Sequence, residues 1–220
     1  MGRLPEKESL VDIFRWRVKE SSESIVSKYK DRLLTYKEYD SNANKVAQGI
    51  INEGCKPNGR VAFLAKNSDQ FFEFLYGTMK SRTVAVGINW RLAPPEVSYV
   101  INDSKSEILF VGKEFYPIIR EIINEIPTIK KIISMDGESE WEHYIFWRDK
   151  FEAIDPFLES NIEDDVIQLY TSGTTGYPKG VQLTNKNFIK SNLMVEKTWG
   201  KDWHEGSANI ICSPVFHVAG

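Results

Sequence analysis

Residues 170–180 read YTSGTTGYPKG, and no other stretch gathers so much polar chemistry in so few positions. Thr171, Ser172, Thr174 and Thr175 carry hydroxyls that rotate freely to donate. Gly173 and Gly176 permit positive φ, which lets successive backbone N–H groups converge on an anion. Lys179 adds a full positive charge behind the stiff Tyr177–Pro178 step. A charge-assisted hydrogen bond is worth about 1.5–3 kcal/mol, so three or four of them would hold a polyphosphate firmly. A nucleoside-triphosphate loop of the Walker type does not fit, because Gly173 is followed after four residues by Pro178 rather than Gly-Lys. The dinucleotide fingerprint does not fit either, since only Gly173 and Gly176 have its spacing. Val181-Gln182-Leu183-Thr184 follows, so the loop is expected to join two strands.

The elements around the loop can be read from periodicity. Leu10, Ile13, Phe14 and Val18 predict an amphipathic helix over 9–20. Residues 25–29 and 33–36 read as a hairpin, and Thr35 with Glu38 as a capping box opening a helix to about residue 53. From Arg60 apolar runs alternate with helices: strands at 61–65, 84–88, 108–111 and 131–135, helices at 69–81, 94–104 and 114–125. Such alternation predicts an α/β fold, a doubly wound, largely parallel sheet with flanking helices. Within 137–163, Trp141, Tyr144, Ile145, Arg148 and Phe151 fit one helical face packed on the domain, a reading favoured over a lipid-surface role. Strands at 166–171, 181–184 and 208–212 and a helix at 187–195 complete the pattern.

Composition narrows the classes. The 220 residues are 41% hydrophobic and 27% charged, too apolar for disorder. Lys and Arg number 28 against 31 Asp and Glu, a net charge of -3 that supplies no field for nucleic acid. The start lacks the apolar core of a secretory signal, and 206–220 is too interrupted to be a membrane span. Two cysteines make no disulfide framework, which makes the cytoplasm the expected compartment. His143, His204 and His217 have no zinc spacing. Cys212 with His217 is interrupted by Pro214 and has no orienting third group, so Cys212 is expected to be a buried structural thiol. Ser172 lacks the G-x-S-x-G elbow of a hydrolytic serine.

The stretch YTSGTTGYPKGV resembles the signature loop of the adenylate-forming (AMP-binding) enzymes, which include acyl-CoA synthetases, luciferases and peptide-synthetase adenylation domains. GINWRLAPPEVSYVINDSKSEILFV at 87–111 is similar to fatty-acyl-CoA synthetases of prokaryotic type, and SPVFHVAG at 213–220 to the family's aromatic–His segment. The resemblance runs from about residue 10 onward. It implies an ATP-dependent ligase of a fatty or other carboxylic acid, using ATP, Mg²⁺ and CoA. On that resemblance Thr171, Ser172, Gly173, Thr174, Thr175, Gly176 and Lys179 grip the β- and γ-phosphates, and Thr174 reaches the Mg²⁺. Lys179 and His217 take catalytic roles, with Phe216, His217 and Gly220 lining the acyl pocket. Acyl-adenylate forms first, and CoA thiol then displaces AMP.

Members of that family are much longer. The resemblance therefore implies the N-terminal part of the large domain of an acyl-CoA synthetase, with the C-terminal domain absent, expected to bind ATP weakly and not to complete adenylation alone. Its expected parts are an opening helix and hairpin over about 1–59, a βαβ unit over 60–136, a variable aromatic segment over 137–163, and the phosphate loop with the start of the acyl pocket over 164–220. Asn185 stands where family members often carry His, a change expected to matter little. An aryl-acid ligase, a peptide-synthetase adenylation domain and a non-catalytic nucleotide-binding module are the rival readings. Peripheral contact with a lipid surface and a homodimer are compatible with all of them.

Overall fold

The computed structural model describes residues 9–171, 178–200 and 206–217. Helix α1, Leu10–Glu20, starts where the Ser9 side chain accepts from the Asp12 amide. Strands β1, Ile25–Tyr29, and β2, Arg32–Thr35, form the expected hairpin. Helix α2, Tyr36–Asn52, opens on the expected capping box: Thr35 N–H donates to Glu38 Oε2 at 2.8 Å, and Glu38 N–H to Thr35 Oγ1 at 3.2 Å.

The alternating part follows as β3, Arg60–Leu64, α3, Asp69–Lys80, β4, Val84–Gly87, α4, Pro94–Ser104, and β5, Ser106–Val111. Next come α5, Tyr116–Ile122, β6, Lys131–Ser134, β7, Glu142–His143, and α6, Tyr144–Arg148. The chain closes with β8, Asp165–Thr171, β9, Lys179–Thr184, and α7, Asn185–Trp199. Seven strands form one sheet in the order β7-β6-β5-β3-β4-β8-β9, parallel throughout except that β9 runs antiparallel to β8. Helix α3 packs Phe71 and Phe74 on one face of this sheet, while α4 packs Val97, Val100 and Ile101 on the other. The adjacent strands β3 and β4 thus send their connecting helices to opposite faces. In open α/β sheets that reversal opens a crevice at the strands' carboxyl ends, where ligands bind.

Four expectations need correction. Residues 208–212 join no ladder; Ile210 and Ile211 lie exposed, with no described strand beside them to take up their backbone groups. Cys212 is exposed rather than buried for the same reason. The helix expected over 114–125 is three pieces, with single 3₁₀ turns on either side of α5. The aromatic segment holds only a five-residue helix: Trp141 lies before it, against Tyr116 at 5.2 Å, while Tyr144 and Trp147 are buried on the opposite face of the sheet. The segment does pack Trp141, Tyr144, Trp147 and Phe151 on the domain, while Phe146 and Phe157 stay exposed. Tyr144 Oη and Arg148 Nη1 both donate to buried Glu73 Oε2, at 2.6 and 2.9 Å, and Asn42 Nδ2 donates to its other oxygen at 2.9 Å.

Asn185 is a buried joint between distant segments. Its Oδ1 accepts from the Leu10 amide at 2.9 Å, and its Nδ2 donates to the Asn161 carbonyl at 2.8 Å. A second joint is ionic. Lys80, fully buried at the end of α3, pairs with Asp40 at 2.9 Å and with Asp155, which Arg15 grips through Nε and Nη2 at 2.9 and 2.7 Å. Burial opposes ionisation of Asp155, but the bonds from Arg15 and Lys80 prevail and hold its carboxyl at about 2. Breaking a buried ion pair by removing one partner typically costs 3–5 kcal/mol. Asp155→Ala is therefore expected to lose about 3–5 kcal/mol in urea unfolding at pH 7. In the parent chain the stability from this carboxylate is fully present above its ordinary value near 3.8 and drains away as the pH falls toward 2. An acid titration of unfolding free energy checks this, with Asp155→Ala flatter across that window.

Candidate functional site at the carboxyl edge of the sheet

Strand β4 ends at Gly87, paired in register with Leu169 of β8. Two residues further along β8, roughly 7 Å, stands Thr171. The antiparallel ladder sets Thr171 opposite Lys179, so both stems of the hydroxyl-rich loop emerge at the carboxyl edge of the parallel strands. Thr171 and Lys179 are both exposed there. Ser172, Gly173, Thr174, Thr175 and Gly176 lie outside the described residues, as does Gly220.

The second predicted segment reaches the same edge. Asn67, just beyond β3, donates from Nδ2 to the Ser213 carbonyl at 2.7 Å and accepts the Val215 amide on Oδ1 at 3.1 Å. Val215 is buried against the core, and the Phe216 backbone lies directly over Gly87. A Cβ on Gly87 would stand 3.0 Å from Phe216 Cα and 3.2 Å from Leu169 Cδ2, so a side chain there would press on the docked segment. The His217 amide closes a turn onto the Pro214 carbonyl at 3.0 Å, and His217 is exposed. Trp90 meets the Phe216 ring edge-to-face at 6.2 Å, with the Arg91 guanidinium 3.9 Å and Lys66 Nζ 5.8 Å from its ring centroid. The structure thus brings Thr171, Lys179, Phe216 and His217 to one edge of one sheet.

Asn67, Gly87 and Trp90 build the site without having been assigned a role in the sequence. The available signal was position: each follows or ends an apolar run read as a parallel strand, where the crevice opens. Arg91 and the exposed Lys179 carry positive charge here, chemistry suited to phosphate and carboxylate, while Lys66 is paired with Glu114 at 2.7 Å. Magnesium takes oxygen ligands and is usually carried on a substrate's phosphates. The hydroxyls of Thr171 and its neighbours fit an ion arriving that way, and among the described residues no three His, Cys, Asp or Glu converge as a protein-held metal site.

Fold and edge together define an α/β architecture whose largely parallel sheet ends in an antiparallel strand pair. The family model of AMP-binding enzymes matches residues 14–220, and the chain belongs to that family. It is 35% identical, over its whole length, to the fatty acid–[acyl-carrier-protein] ligase ScoC of Streptomyces coeruleorubidus, covering 42% of that protein. Over 90% of its length it is 32% identical to the long-chain-fatty-acid–CoA ligase FadD13 of Mycobacterium tuberculosis, covering 38%. The anthranilate CoA ligase AuaEII, solved with anthranoyl-AMP, superposes on 90% of the chain with a TM-score of 0.81 at 28% identity, covering 38% of that structure. The chain therefore spans about two fifths of the length of the curated relatives it matches. No helix among the described residues is long and apolar enough to cross a membrane.

If Asn67 is what docks the 213–217 segment, Asn67→Ala removes two hydrogen bonds, at about 1 kcal/mol each. The Val215 amide should then exchange with solvent at least tenfold faster while the amides of β3 and β5 keep their protection, as amide hydrogen exchange would report.

Proposed function

We propose that this chain carries the polyphosphate grip and one wall of the acyl pocket of an ATP-dependent carboxylic acid–thiol ligase. The observation that supports this most is the convergence of the two stems of the 171–179 loop with Phe216 and His217 at the β3/β4 crevice. In this reading a carboxylate oxygen attacks the α-phosphorus of ATP, forming a P–O bond as the bond to pyrophosphate breaks. A thiol sulfur then attacks the acyl carbon of the mixed anhydride, and AMP leaves with the electron pair of the broken C–O bond. Lys179 and the loop donors Thr171, Ser172, Gly173, Thr174, Thr175 and Gly176 hold the β- and γ-phosphates and stabilise charge on the departing pyrophosphate. Magnesium, reached by Thr174, would neutralise further charge on the same oxygens. His217 orients the substrate carboxylate, and Phe216 and Gly220 line the acyl side.

CoA is the acceptor in this proposal. A carrier-protein thiol is the second reading, favoured by the relative whose name specifies an acyl carrier protein. Fatty and aryl acids are both represented among the similar proteins, so the acyl group is assigned only as a carboxylic acid. We place the reaction in the cytoplasm, as a soluble step of lipid or aryl-acid metabolism.

Calorimetric titration of the 220-residue chain with MgATP tests the grip. Weak but saturable binding is expected, and Lys179→Ala should weaken it roughly ten- to a hundredfold, the worth of one charge-assisted bond. Carboxylate-dependent exchange of labelled pyrophosphate into ATP should be absent from this chain alone. It should be present in a longer polypeptide that retains these residues. Absence of MgATP binding at millimolar concentration would overturn the proposal.

A further inference from the structure

Two side chains of α4 reach the loop stems from one face of the helix. Tyr99 and Asp103 are four residues apart, which places them one turn above each other. Tyr99 Oη donates to the Pro178 carbonyl at 3.2 Å, on the returning stem. Tyr170 Oη, on the outgoing stem, donates to Asp103 Oδ2 at 2.6 Å. The same hydroxyl accepts from Gln168 Nε2 at 2.9 Å, and Gln168 Oε1 in turn accepts from Arg60 Nε at 3.3 Å. Burial and the bond to Asp103 raise the Tyr170 phenol well above its usual value, so it stays a donor. Opposite Tyr170 in the ladder stands Gly180, where a Cβ would run into Gln168 Nε2 and lie 3.1 Å from Tyr170 Oη. The missing side chain leaves room for the string of bonds to cross β9.

We infer that α4 is a clamp that fixes the separation and tilt of both stems of the phosphate loop, with Tyr99, Asp103 and Tyr170 as positioning residues. The inference rests on the proposed function for its purpose, but its geometry stands without it. The clamp also ties the two halves of the site together. The segment leading from β4 into α4 carries Trp90, which packs on Phe216, so one short stretch contacts both the acyl-side segment and the phosphate-loop stems. Both tyrosines act through the loop stems they bond.

The experiment compares Tyr99→Phe, Tyr170→Phe, their double variant, Asp103→Ala and Asp103→Asn in the 220-residue chain. Amide hydrogen exchange is read over the two stems, residues 168–171 and 179–182, and, as an internal reference, over β3 and β5. Tyr99→Phe and Asp103→Ala should speed exchange in the stems about three- to tenfold, the worth of one lost hydrogen bond, and Tyr170→Phe, which loses two, at least as much, with the reference strands unchanged. The double variant should exceed either single one, and Asp103→Asn, whose amide oxygen accepts the same bond, should restore most of the protection. MgATP affinity should fall by a similar factor in the same order. Unchanged stem exchange, or stems and reference strands loosening in step, would overturn the clamp. Should the parent chain bind no MgATP, the proposed function fails, while the exchange comparison still decides the clamp.

Discussion

The polarity of the sheet governs everything at the site. Six strands run parallel, so their carboxyl ends share one edge, and β3 and β4 part there because α3 and α4 leave to opposite faces. The last strand alone is reversed. Because β9 comes back along β8, a loop that begins at that edge also ends there, with Thr171 and Lys179 across the ladder from each other. A parallel β9 would have carried Lys179 to the far end of the sheet. The electrostatics follow from topology: a donor-rich loop, an ammonium group and the docked 213–217 segment meet because strand direction leaves them no other place.

Holding that edge still is the work of polar groups placed away from it. Glu73 receives three hydrogen bonds from Asn42, Tyr144 and Arg148, and Asp155 sits between Lys80 and Arg15. These buried carboxylates join α1, α2, α3, α6 and the connection before β8 into one body. Buried charge is costly unless paired, so each cluster favours one arrangement of its helices over slipped alternatives. The division of labour is spatial. Ionic joints lie behind the sheet, among the helices, while the crevice side keeps its cations and hydroxyls open to solvent at Lys179 and Thr171.

Periodicity made most of this architecture legible. Strands buried on both faces appear as short apolar runs, and Thr35–Glu38 and Pro94–Pro95 announce their helices locally. What failed was structure decided by distant partners. Residues 208–212 have strand-like composition, yet a strand exists only where a neighbour offers a ladder, and none of the described strands does. Within 137–163, Trp141 and Tyr144 were read as sharing one helical face, but they answer to opposite faces of the sheet, which no one-dimensional period encodes. At the edge, Thr171 and Lys179 stood out within a run rich in hydroxyls and glycine, whereas Phe216 and His217 were singled out only by the resemblance of residues 213–220 to a family segment. Asn67 and Gly87 were not, since an asparagine after a strand and a glycine at its end acquire meaning only when residues 213–216 arrive on top of them.

Strand pairing at the stems has an evolutionary consequence. Side chains alternate across a pleat with a period of two, so inserting or deleting one residue within β8 or β9 would exchange inside for outside along the rest of that strand. Tyr170 would leave Asp103, and the crowded position facing Gln168 would pass from Gly180 to a residue with a side chain. Changes in chain length are thus barred from the few residues on either side of the loop, whereas the exposed turns around Glu138 and Glu159 can absorb them. Lineages descended from this chain should vary in length in those outer turns while Asp165–Thr171 and Lys179–Thr184 keep theirs.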